Sequence, residues 1–154
     1  MIVLIFSFNL SDIANYYKNI QINENFEMTL YKSNLNRIRY KILGSYYESK
    51  EKTIYYGYLP NNSKVRMEFN ENYYVYYLND NLIENGTIEI PIYSPYKMFI
   101  FLYENNYPYE VLEKDSILNV IFNTNGSYWS FLIRANDYKV IQYNSPLKLK
   151  IDFK

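Results

Sequence analysis

Apolar and polar residues alternate with period two through most of this chain. "NRIRYKI" puts Ile38, Tyr40 and Ile42 on one face and Arg37, Arg39 and Lys41 on the other. "KVRMEF" sets Val65, Met67 and Phe69 against Lys64, Arg66 and Glu68, and "TIEIPI" aligns Ile88, Ile90 and Ile92, with Pro91 marking an edge or a bulge. "LKLKIDFK" sets Leu147, Leu149, Ile151 and Phe153 against Lys148, Lys150, Asp152 and Lys154. Such alternation is the mark of half-buried antiparallel strands. The opening "MIVLIFSF" reads as a further strand over Ile2 to Phe8. It is too short and lacks the flanks for a secretory signal, and no run reaches the length of a membrane span.

One segment has helical spacing. In "SDIANYYKNI", Ile13, Tyr16, Tyr17 and Ile20 form a single stripe, with Ser11 as the expected N-cap. The spacing predicts a short helix near residues 11–20. Turn chemistry separates the strands: "LNDN", "TNGS", "RAND" and "ENGT" supply Asn and Asp, and Asn85-Gly86 and Asn125-Gly126 are hairpin signals. Strand-sized runs recur about every ten to twelve residues, a spacing of sandwiches and barrels. The fold expected is all-β: one antiparallel β-sandwich domain over residues 1–154, Ig-like or jelly-roll-like, with about nine to eleven strands and one N-terminal helix. No Pro-, Gly- or Ser-rich linker divides it.

Three runs break the alternation by being apolar on both faces. "NYYVYYLN" sets Tyr73, Val75 and Tyr77 against Tyr74, Tyr76 and Leu78. "KMFIFLY", read as a strand, sets Met98, Ile100 and Leu102 against Phe99, Phe101 and Tyr103, and "SILNVIF" behaves alike. A sandwich buries one face of each sheet, so doubly apolar strands call for a second cover, in part another protein surface. The candidate interface residues are therefore Tyr73, Tyr74, Tyr76, Tyr77, Phe99, Phe101 and Tyr103.

Composition changes this picture in two ways. Asn (21), Tyr (21), Ile (18), Lys (12) and Phe (9) dominate the 154 residues, and all five use AT-rich codons. An AT-rich genome accounts for the abundance of Tyr, so only its placement carries information. The chain has neither Cys nor His, and its 16 basic residues balance 16 acidic ones. That excludes disulfides, thiolate and imidazole catalysis and the usual zinc ligand sets, and it argues against nucleic acid as a partner.

Four isolated glycines leave no phosphate-binding loop, and no nucleophile elbow or Ser-x-x-Lys occurs. No catalytic, cofactor-binding or metal residues are assigned, and no cofactor is expected. The carboxylates Glu68, Glu71, Glu84, Glu89, Glu104, Glu110 and Asp115 could form a glycosidase pair only if the fold brought two together. "NDN" lacks the rest of a calcium loop. The basic face of Arg37, Arg39 and Lys41 reads as solvated, with Tyr40 in the core. Trp129, aligned with Phe131 and Ile133, reads as core too.

Asn9, Asn61, Asn85 and Asn125 open N-x-S/T triplets, which points to an extracellular or virion-associated setting. The expected function is a non-enzymatic structural or assembly protein, a subunit of a virion, filament or cell-surface layer. Its partners would be copies of itself or another structural protein. The alternative is a glycan-binding module with an exposed Tyr platform in "YYESKEKTIYYGY" or "ENNYPYE". A carboxylate-dependent glycoside hydrolase comes third.

Overall fold

The structure, a computed structural model, describes residues 9–31 and 38–154. The expected strand at Ile2 to Phe8 and the basic positions Arg37 and Arg39 lie outside the described residues or their described side chains. In chain order the elements are α1 (Leu10–Lys18), β1 (Ile22–Tyr31), β2 (Ile38–Glu48), β3 (Thr53–Tyr58), β4 (Lys64–Phe69), β5 (Tyr73–Leu78) and β6 (Asn81–Thr87). Then come α2 (Pro95–Glu104), β7 (Tyr109–Lys114), β8 (Ile117–Thr124), β9 (Ser127–Arg134), β10 (Val140–Ser145) and β11 (Leu149–Phe153).

All-β architecture and antiparallel pairing are as the alternation predicts, but the described strands form one sheet where a sandwich would need two. The order is β6-β5-β4-β3-β2-β1-β11-β10-β9-β8-β7, open at β6 and β7. The inner face is buried under the two helices. The outer face carries the polar half of each alternation, such as Lys41, Arg66, Glu68 and Asp152.

The helix α2 is the main correction. "KMFIFLY" is helical, and its double apolarity reflects a helix enclosed by sheet and by α1. Ser94 caps it, accepting from the Lys97 N–H at 3.3 Å, and Pro95 occupies the first turn, where no N–H is needed. Pro95, Met98, Phe99 and Leu102 repeat at i, i+3, i+4 and i+7 and are buried. An all-apolar run satisfies both periods, and Ser-Pro at its head settles which one wins.

The sheet bends around this helix. Tyr55 on β3 donates to the Tyr93 carbonyl at 2.5 Å, and Tyr143 on β10 donates to the neighbouring Ile92 carbonyl at 2.7 Å. In a flat sheet these strands, four spacings apart, would lie about 19 Å from each other. Side chains standing off a flat sheet could not converge on adjacent residues, so the inner face is drawn in toward the segment before α2. Further round, Phe99 packs edge-on to Phe122 and Phe131 at 5.4 Å each, and Tyr96 packs on Tyr17 at 4.8 Å. Gly44 and Gly57 face each other across β2 and β3. A Cβ on Gly44 would fall 1.9 Å from the Tyr56 carbonyl oxygen, so the two strands approach more closely there than any side chain permits.

Smaller differences follow from turn chemistry. The tight turn after β5 uses Asn79 and Asp80, both at positive φ, so Asn85-Gly86 lies inside β6 rather than at a turn. Asn125-Gly126 makes the β8–β9 turn as expected. "TIEIPI" leaves the sheet at Thr87, and residues 88–94 are the loop into α2. "YYESKEKTIYYGY" is not a loop but the β2–β3 hairpin. Helix α1 is capped by Asn9, two residues before the expected Ser11. Tyr40 shares the Ile42 face but is 43% exposed, and Leu147 sits exposed in the turn before β11. Trp129 is buried, its indole N–H held by Thr124 Oγ1 at 3.0 Å.

Candidate functional site

A cavity of about 380 Å³ opens at the N-terminal end of α2, between the β2–β3 turn, the end of β4 and the loop 88–94. Phe69 and Tyr93 form one wall as a stacked pair, centroids 5.0 Å apart and planes 14° from parallel. Ile88, Ile90 and Pro91 from the loop line the other side. The loop is fixed because Tyr55 and Tyr143 hold its last two carbonyls before Ser94.

The floor of the cavity holds an ion pair whose carboxylate is buried and whose ammonium is partly exposed. Glu48, at the end of β2, is 1% exposed. Its Oε1 accepts from the Tyr46 hydroxyl and, at 2.6 Å, from Ser94 Oγ. Its Oε2 accepts from Thr53 Oγ1 at 2.9 Å and from the Lys97 ammonium. Lys97 also donates to the Ser49 carbonyl at 2.8 Å and to Thr53 Oγ1 at 3.0 Å. A carboxylate offers about four acceptor sites and an ammonium three donors, and all are used. The sequence gives these residues no motif. Glu48 and Thr53 flank a tight turn, Ser94 and Lys97 flank a helix start, and only the fold joins them. Burial, with Glu48 as the nearest charge, holds the Tyr46 and Tyr55 hydroxyls well above the ordinary tyrosine range.

The seven sequence-selected aromatics separate. Phe99 is fully buried in the core, while Phe101 and Tyr103 are half-buried on α2. Tyr74 and Tyr76 turn to the inner face, half-buried beside each other with centroids at 4.8 Å. Tyr73 and Tyr77 turn outward. Tyr73 is 52% exposed, and Tyr77 lies under the Arg66 guanidinium at 4.1 Å. Arg66 also approaches Tyr56, which is 46% exposed, and its Nε is 3.0 Å from Glu68. The outer face thus presents a cross-strand row of Tyr56, Arg66 and Tyr77.

Among the sequence-selected carboxylates, Glu71 and Glu89 line the same cavity. Glu68 pairs with Arg66, Glu84 accepts from the Tyr74 hydroxyl, and Glu104 pairs with Lys18. Among the described residues no group of three acidic, His or Cys side chains could hold a metal, and no helix is long and apolar enough to cross a membrane.

Compared with known protein families and with curated proteins, the chain matches none, so its site is read from chemistry alone.

Proposed function

We propose that this protein is a non-enzymatic binding protein whose ligand is a small molecule with an apolar body, held in the cavity at the start of α2. The observation that carries this reading is the cavity itself. An aromatic pair and three apolar loop residues enclose about 380 Å³ over a polar floor with no unmet hydrogen bond. Largely apolar, preformed pockets of this size are the usual form of small-ligand sites. The test is titration with the neutral, apolar dye N-phenyl-1-naphthylamine, followed by fluorescence. Saturable binding at one site is expected, weakened at least tenfold by Ile90→Asp in the exposed loop. An absence of saturable binding overturns the reading.

A second reading, a structural subunit in contact with copies of itself or another structural protein, is favoured by the outer row of exposed Tyr56 with half-buried Arg66 and Tyr77, and by exposed Tyr73 on the same strand as Tyr77. Exposed aromatics with an Arg are typical of contact surfaces. Light scattering that gives a concentration-independent oligomer, dispersed by Tyr77→Ser with Arg66→Ser, supports it, and a monomer at all concentrations removes it. Retention on a glycan array by the same face would instead favour the glycan-binding alternative.

A further inference from the structure

The cavity differs in charge between floor and rim, and the difference bears on the head of its ligand; this inference rests on the binding reading above. The floor is electrically closed. Each Lys97 ammonium proton is committed, to Glu48, to the Ser49 carbonyl and to Thr53, and both Glu48 oxygens carry two donors. A charged group pushed to the floor would have to break that network to gain a partner. The buried end of the ligand is therefore apolar, facing Phe69, Tyr93 and Ile88.

The rim is unbalanced. Its charged residues are Lys50 against Glu51, Glu71 and Glu89, all four exposed and all lining the same opening. They come from three separate segments: the β2–β3 turn, the β4–β5 turn and the loop before α2. We propose that the cavity selects cationic amphiphiles, taking the hydrocarbon inward and leaving an ammonium head among the three rim carboxylates.

The test compares three probes with one chain length and different heads: decylammonium, decyl glucoside and decanoate. Each is titrated below its micelle concentration by calorimetry, with the Ile90 backbone amide followed by NMR to place the site. The cation is expected to bind tightest and the anion weakest, roughly tenfold apart at low ionic strength. The gap should narrow at high salt, because the rim charges are exposed. The variant carrying Glu71→Lys and Glu89→Lys, both exposed, is expected to reverse the order of cation and anion. If decyl glucoside binds at Ile90 but decylammonium binds no tighter than decanoate, or the double variant leaves the order unchanged, the head-group inference is overturned and the cavity reading stands. If none of the three binds, the cavity reading falls and this inference with it.

Discussion

Tyr55 and Tyr143 stand four strands apart in the sheet and yet donate to the carbonyls of two adjacent residues, Tyr93 and Ile92. The two hydroxyls act as a clasp. They hold the bend of the sheet, satisfy two loop carbonyls, and set the wall of the cavity. Removing either hydroxyl as Tyr→Phe leaves a carbonyl without its partner and is expected to cost about 1–2 kcal/mol in urea unfolding. Both serve one loop, so loosening it with the first change weakens the second bond. The double variant should therefore lose less than the sum of the singles, by at least about 0.5 kcal/mol. Strict additivity would show that the two bonds act independently.

Breaking the ion pair beneath the cavity should be costly in one direction. Lys97→Met strands the Glu48 carboxylate in the interior and is expected to cost about 3 kcal/mol, measured by denaturant unfolding. Glu48→Gln keeps most of the hydrogen-bond geometry and should cost less. Combining the two removes both charges, and part of the Lys97→Met loss should return. A Lys97→Met protein as stable as the parent would mean that the pair contributes nothing.

The glycines provide a contrast at two positions. Gly44→Ala places a methyl against the Tyr56 carbonyl and the Gly57 Cα, with no flexible side chain to yield. A loss of about 3 kcal/mol is expected, and thermal unfolding will show it. Gly126→Ala meets open space and suffers only from its φ of +95°, so about 1 kcal/mol is expected. Equal losses at the two sites would contradict the close approach of β2 and β3.

Alkaline pH probes the buried tyrosines. Burial holds the hydroxyls of Tyr17, Tyr46, Tyr55 and Tyr143 well above the ordinary value near 10. Above that pH the unfolded chain releases protons that the folded chain keeps. Unfolding free energy must therefore fall as pH rises past the unfolded tyrosine value, and it is unaffected by these groups below it. Phenolate absorbance should show an early step from exposed tyrosines and a second step only when the fold is lost. A single step near pH 10 with the fold intact would contradict their burial.

Much of the sheet is legible in the sequence, because a one-sided sheet writes its inner face at every second residue. Val65, Met67 and Phe69 show this, as do Leu149, Ile151 and Phe153. The number of sheets is not legible. Alternation records that a face is covered without recording by what, and here the cover is helical. "KMFIFLY" shows the limit of periodicity, since a segment apolar at every position fits a strand and a buried helix equally. Ser94-Pro95 was the available signal for the helix. The cavity was illegible for another reason. Its parts, Glu48, Phe69, Ile90 and Lys97, are scattered along the chain and meet only because the sheet bends. Tyr74 and Tyr76 were separable from Tyr73 and Tyr77 by alternation alone, but which pair faced inward depended on pairing with Phe69 and Met67 of β4.

The order of strands also shapes how the chain can fold. Among the described residues, nine of the ten strand pairings join strands that follow one another in sequence, and each can form from a local hairpin. The tenth, β1 with β11, sets Phe26 beside Phe153 and is the seam between two meanders. Local ladders form quickly, whereas a contact across most of the chain waits on a long loop closure. The slow event in folding this molecule is accordingly the meeting of two ready-made half-sheets, with α2, carried on the connection between them, as the surface on which they meet.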